Sequence, residues 1–258
     1  MNLVLLEPAD FPQGITGPAP LRGEAEVRGR RAKHIREVHR VRPRDVLRVG
    51  LVDSLLGEGE VLQVDRDEVR LKVELTEPPP EPSGIALALA MPRPKVLRRL
   101  LSQVASMGLK KVVVVRAARV EESYFDSPLV APDAVHKALL LGLEQARDTR
   151  LPEVEIGLRF QPFVGDQVPS RWPGPVPKLV AHPAGERLLE ACPVGREPDP
   201  VLVAVGPEGG FVPFEVELLE RTGFCAFSLG PRILRVETAV PALVGQLDLL
   251  RRHPIGRT

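Results

Sequence analysis

Two stretches near the end of the chain join an apolar run to a loop that holds glycines, a carboxylate and arginines. Val201-Leu202-Val203-Ala204-Val205 leads into Gly206-Pro207-Glu208-Gly209-Gly210-Phe211, and Cys225-Ala226-Phe227-Ser228-Leu229 leads into Gly230-Pro231-Arg232-Ile233-Leu234-Arg235-Val236-Glu237-Thr238-Ala239. The apolar runs read as buried strands, and the segments after the loops (213–223, and a second ending near Arg251) read as helices. A strand that ends in a glycine loop feeding a helix gathers main-chain N–H groups and a helix N-terminus around one crevice, where open α/β sheets bind ligands. Glycine lets the backbone approach a flat ligand closely, which suits a nucleotide-like molecule held by main chain more than by charge. Arg232 and Arg235 offer planar guanidinium donors for acceptor oxygens, and Glu237 or Glu208 is a group that can accept a proton. Neither GxGxxG nor GxxxxGK[ST] occurs, so neither a dinucleotide fingerprint nor a P-loop is expected.

The elements that must carry these loops form an α/β series. Residues 85–91 read as a buried strand, 95–108 as a helix with apolar Val96, Leu97, Leu100, Leu101, Val104 and Met107 on one face and Gly108 as its cap, and 111–117 as a second buried strand. A helix over 132–148 and strands near 153–158 and 177–183 complete the series. Upstream the rhythm differs. Residues 45–53 and 68–75 alternate apolar and polar with period two, as short strands of a small β-barrel do. Between the regions lies 76–84, with four prolines that favour extended backbone. The expected organisation is a barrel at 1–75, a linker at 76–84 and an α/β domain at 85–258.

Composition removes several classes of function. Cys192 and Cys225 are the only cysteines and share no CxxC or Cys/His spacing, so no disulfide framework or metal site is expected and a reduced, cytoplasmic setting fits. No apolar run approaches the roughly 18 to 20 residues of a membrane helix, and no secretory leader pattern opens the chain. Prolines number 28 in 258 residues, Asn2 is the lone asparagine and arginine outnumbers lysine, a composition that points to a hot-growing source. Net charge is only +1, yet residues 22–48 hold ten basic side chains against four acidic. Arg22, Arg28, Arg30, Arg31, Lys33, His34, Arg36 and Arg40 are the candidates there for RNA phosphate contacts, with a solvated arginine-rich face as the plain alternative. Aromatic residues are 4% of the chain, so shape and phosphate recognition should outweigh base stacking.

The pair "GPEGGF" and "LGPRILRVETA", with "EQARDTRLPEV" at 144–154, resembles the RsmE family of small-subunit rRNA uridine N3-methyltransferases, within the SPOUT superfamily of knotted S-adenosylmethionine enzymes. The resemblance implies an N-terminal PUA-like RNA-binding barrel, a C-terminal domain with a trefoil knot, and a homodimer acting on small-subunit rRNA or the assembled subunit. It places S-adenosylmethionine against Ala181 and His182, against Val205, Gly206 and Gly210, and against Leu229, Gly230, Ile233 and Leu234. This chain departs from the family pattern at Gln103, Ser106 and His39, and lacks the aromatic-basic start, as a divergent member with a shifted substrate preference would.

Uridine N3 becomes nucleophilic as its proton leaves, and the charge spreads to O2 and O4. Arg232 and Arg235 could stabilise it and Glu237 or Glu208 could take the proton. Each has a plainer alternative. Glu237 and Thr238 open a helix, where both are capping residues. Arg232 could instead grip RNA phosphate or a second subunit, Glu208 could brace its turn, and His182 before Pro183 fits a structural loop residue. A knotted methyltransferase of ribose 2′-OH or of another base, and a non-catalytic RNA-binding protein, are the other classes open.

Overall fold

The computed structural model describes residues 2–253 except 16, 18 and 198, and the helices, strands and loops below are those of the described residues. The chain divides into two compact units, one formed by 1–81 with 139–151 and the other by 82–138 with 152–258. The architecture is mixed α/β, with a curled sheet in the first unit and a parallel sheet in the second.

In the first unit β1 (Val4–Leu6), β2 (Leu21–Arg28), β3 (Val46–Leu51), β4 (Leu56–Val64) and β5 (Glu68–Glu77) form one sheet in the order β1-β3-β4-β5-β2. All neighbours are antiparallel except β1 and β3. Along β5, Val69, Leu71, Val73 and Leu75 are buried and alternate with Arg70, Lys72 and Glu74 in solvent, the period-two pattern of a half-buried strand. Because β5 continues through Thr76 and Glu77, the proline-rich stretch without regular structure starts at Pro78. A short helix, α1 (Gly29–His34), runs on as a π-helical turn over Ile35–His39 and stops at Arg40 in the left-handed region, φ 52°.

Residues 139–151 belong to this unit through polar contacts that periodicity cannot show. Glu144, 3% exposed, receives two hydrogen bonds from Arg30 at 2.7 and 2.9 Å. Asp53 N–H donates to the Thr149 carbonyl at 2.8 Å, and Leu151 N–H to Asp53 Oδ1 at 2.7 Å. The stretch 144–151 therefore serves the architecture of the first unit.

The second unit is built on six parallel strands: β6 (Ile85–Ala90), β7 (Lys111–Arg116), β8 (Glu153–Arg159), β9 (Lys178–Ala181), β10 (Val201–Val205) and β11 (Phe224–Phe227), in the order β11-β9-β10-β6-β7-β8. β6 and β10 are buried at every residue, as central strands covered on both faces must be. The helices are α2 (Pro94–Ser106), α3 (Pro132–Ala146, whose end joins the first unit), the short α4 (Phe160–Pro162) and α5 (Val168–Arg171), α6 (Pro213–Arg221) and α7 (Val236–Arg252). α2 buries Leu97, Leu100, Leu101 and Val104, and Gly108 with φ 78° follows its C-cap Met107, so the expected helix keeps its face and a glycine just past its end. Around 160–172, where periodicity marks no element, Phe160, Phe163, Val168 and Trp172 are all buried in the core. Far along α7, Arg251 is buried and donates to the Ser83 carbonyl at 2.9 Å and to the Arg196 carbonyl at 3.2 Å, anchoring the helix. Among the described residues, no helix is long and apolar enough to cross a membrane, and no group of three or more His, Cys, Asp or Glu side chains could hold a metal ion.

Candidate functional site

Register decides where the glycine loops open. Ala181 of β9 pairs with Val205 of β10 and with Phe227 of β11, so three strands end level and their loops leave side by side. Together they wall a cavity of about 370 Å³, a size within the range of small-molecule sites. The loop after β9 contributes Ala181 and His182, the loop after β10 Val205, Gly206 and Gly210, and the loop after β11 Leu229, Gly230, Ile233 and Leu234. The turns at 206–210 and 229–234 thus share one pocket, and every residue assigned to the methyl donor from the sequence lines it. Pro207, Phe211, Ser228 and Val236 line it as well and carried no assignment.

The loops hold their shape by local hydrogen bonds. Gly210 N–H donates to the Pro207 carbonyl at 2.8 Å, closing a tight turn with Gly210 at φ 70°. The Ser228 hydroxyl donates to the Gly230 carbonyl at 3.0 Å and accepts from Gly230 N–H at 3.1 Å, holding Gly230 at φ 115°, where a residue with a Cβ is strained. His182 N–H donates to the Phe227 carbonyl at 2.9 Å, and its Nδ1 accepts from Ala184 N–H at 3.2 Å, so His182 braces its own loop. Phe211 closes the floor: it is buried and its ring lies 5.5 Å from that of Phe160.

Of the four residues given chemical roles from the sequence, two are at the cavity. Arg232 lines it with an exposed guanidinium, and Glu208 lines it while Oε1 accepts from Arg93 N–H at 3.3 Å. Arg235 is the exposed residue at the N-cap of α7 and does not line the cavity. Glu237 lies in the first turn of α7, paired with Arg99 of α2, which is the structural role its position allows. Glu215, six residues beyond Gly209, went unread. Its one local signal is a carboxylate in the first turn of a helix ahead of an apolar run.

The basic stretch of the first unit divides in the same way. Arg31 is largely buried and bidentate to Asp10 at 2.6 and 2.8 Å while also donating to the Leu5 carbonyl, and Arg30 is taken by Glu144. Both are engaged by the fold. Arg22 pairs with Glu74, and Arg28 with Glu26 and Glu68, in solvent-exposed contacts that a phosphate could displace. Lys33 and Arg40 are exposed, and Arg36 lies 3.5 Å from Glu37. His34 meets His39 edge to face at 5.2 Å. Burial above all, then nearby positive charges including His39 and Arg30, pulls the His34 pKa below the usual histidine range.

Comparison with known proteins agrees with this site. The chain matches the RNA methyltransferase domain family over residues 79–248. It is similar to Ribosomal RNA small subunit methyltransferase E of Treponema pallidum, 28% identical over 243 residues that take in 94% of this chain and 88% of that protein. The protein of the same name from Mycobacterium tuberculosis is 27% identical over 88% of this chain and 86% of its own length. Among solved structures, a Ribosomal RNA small subunit methyltransferase E from Neisseria gonorrhoeae, bound to S-adenosyl methionine, has a TM-score of 0.73 at 20% identity, covering 97% of this chain and 98% of that one. A putative methyltransferase from Legionella pneumophila in complex with the same cofactor also reaches 0.73, at 22% identity over 96% and 97%. At such identities the likeness is one of fold. The resemblance read from the two loops and residues 144–154 extends over nearly the whole chain, the cavity lies inside the matched span, and the chain belongs to the RNA methyltransferase domain family.

Proposed function

We propose that the chain is an S-adenosylmethionine-dependent methyltransferase acting on N3 of a uridine in small-subunit ribosomal RNA, in the cytoplasm. The observation that carries this reading is the convergence of three main-chain loops, after β9, β10 and β11, on one cavity walled mainly by glycine and apolar residues. Such a wall fits a flat adenine and an uncharged ribose, held by backbone N–H and carbonyl groups. When bound, S-adenosylmethionine supplies an activated, electrophilic methyl group. The residues of this chain then have to orient the acceptor and manage one proton. Arg232 at the rim, with no side-chain partner among the described residues, is placed to donate to O2 or O4 as negative charge develops there. Glu208 keeps Oε2 free of Arg93 and is the carboxylate on the cavity wall that can accept the N3 proton. Arg235, exposed beside the same loop, suits an RNA phosphate.

For RNA binding we assign the first unit as a PUA-like barrel, with Lys33, Arg36 and Arg40 as primary phosphate contacts and Arg22 and Arg28 joining by exchange of their exposed partners. The names of the relatives support a small-subunit rRNA substrate, as free RNA or within the assembled subunit. Two features support the finer expectations of fold. β10 enters the sheet between β6 and β9, both earlier in the chain, the arrangement a threaded, trefoil-knotted connection would produce. Ile233 on the cavity rim is 84% exposed, an apolar side chain that a second subunit of a homodimer would cover.

The test is product analysis. Small-subunit RNA incubated with the protein and labelled S-adenosylmethionine, then digested to nucleosides, should yield 3-methyluridine by mass and chromatography. A 2′-O-methyl nucleoside or another methylated base would reassign the acceptor. Absence of both transfer and calorimetric donor binding would leave an RNA-binding protein. Arg232→Ala and Glu208→Gln should each abolish transfer while donor affinity stays within a few-fold.

A further inference from the structure

The turn 206–212 is gripped from behind by two charged side chains that do not line the cavity. Glu215, 3% exposed in the first turn of α6, divides its carboxylate between two main-chain donors. Oε2 accepts from Val212 N–H at 2.9 Å, which caps the helix. Oε1 accepts from Ala118 N–H at 2.7 Å and so leaves the helix for the loop that follows β7. The next residue of that loop reaches back. Arg119 donates from its guanidinium to the Gly209 carbonyl, and its stem packs so close that a β-carbon on Gly209 would lie 3.2 Å from Arg119 Cδ. Gly209 and Val212, at the far side of the turn and at its exit, are therefore tied to consecutive residues of one neighbouring loop. Arg93 N–H on Glu208, at 3.3 Å, ties the same turn to the loop after β6.

Capping α6 needs only the bond to Val212, and solvation of Arg119 needs no partner at all. Joined as they are, the two side chains make a clamp. We infer that Glu215 and Arg119 are positioning residues for the methyl donor, holding 206–211 in its binding shape before the ligand arrives. This rests on the reading of the cavity as the donor site. A pre-shaped wall binds more tightly because the ordering of the loop is not taken from the binding free energy. In Glu215→Gln an NH2 group faces one of the two N–H donors, so a partly buried donor loses its acceptor although the side-chain volume is kept.

The experiment compares the intact wild-type protein with Glu215→Gln, Arg119→Ala and Arg119→Lys by calorimetry with S-adenosylmethionine, by thermal unfolding, and by steady-state transfer to small-subunit RNA. Losing a hydrogen bond to a charged group should raise the donor dissociation constant about 10- to 100-fold in Glu215→Gln. The exposed Arg119→Ala should raise it about 5- to 10-fold with an unchanged unfolding midpoint. KM for donor should rise while KM for RNA stays put, and Arg119→Lys should recover part of the loss. A mere structural role would lower the unfolding midpoint and move neither KM selectively. Should Glu215→Gln not fold, the Arg119 pair decides. Wild-type donor affinity in the Arg119 and Glu215 variants would overturn the clamp while leaving the donor site standing; a wild-type protein that binds no donor would overturn both.

Discussion

Gly230 and Gly245 offer a paired perturbation in which space is held constant and backbone conformation is not. A β-carbon added at either glycine meets nothing within 4 Å. Gly230 sits at φ 115° in the loop that walls the cavity, whereas Gly245 is an exposed residue inside α7 with ordinary helical backbone. Gly230→Ala therefore carries no steric term and only the strain of that φ, about 1–3 kcal/mol. If the free loop relaxes and must return to this shape to bind, the strain appears in full in ligand affinity, about 5- to 150-fold at 1.4 kcal/mol per factor of ten. The unfolding midpoint then hardly moves, because the loop can swing without disturbing the core. Gly245→Ala removes backbone freedom from the unfolded chain and should stabilise by about 0.5–1 kcal/mol, with donor affinity unchanged. Calorimetry with S-adenosylmethionine and differential scanning of both variants provide the readouts. Wild-type donor affinity in Gly230→Ala, or the same effect from both alanines, would refute a binding role for the Gly230 backbone.

Two further outcomes are expected. Arg31→Ala leaves the largely buried Asp10 carboxylate without its bidentate partner and should cost about 3–5 kcal/mol in urea unfolding, whereas Arg22→Ala, in an exposed pair, should leave the midpoint where it is. The Cys192 thiol is pushed up to about 12, by burial first and then by the neighbouring Cys225. Native protein treated with iodoacetamide at about pH 8.5, where an ordinary thiol is half ionised, should therefore be left unmodified at Cys192, and denatured protein modified, by peptide mass spectrometry. Since the folded-state pKa lies above the unfolded value, the unfolded thiol ionises first, so this group lowers stability as pH rises from about 9 to 12.

What the sequence determined by itself is whatever depends on near neighbours along the chain. The buried strands 85–90 and 201–205, the face of α2 and the glycine loops after 205 and 229 were all legible, because solid apolar runs, helical spacing and positive φ are local demands. The helical turns from 160 to 171 were not, since Pro162, Gly165 and Pro169 break the period and only the core that receives Phe160 and Phe163 holds them in place. Tertiary structure alone decided which loops share a cavity: the order β11-β9-β10 and the level ends at Ala181, Val205 and Phe227 arise from pairing between strands more than twenty residues apart. It also decided which charges are available. Arg31 and Arg40 look alike in the sequence, yet one meets Asp10 across the first unit and the other is exposed; likewise Glu237 meets Arg99 while Glu208 remains on the cavity wall. The partners of Arg31 and Glu237 lie far away along the chain, so the folded path sets them and the neighbours in sequence do not.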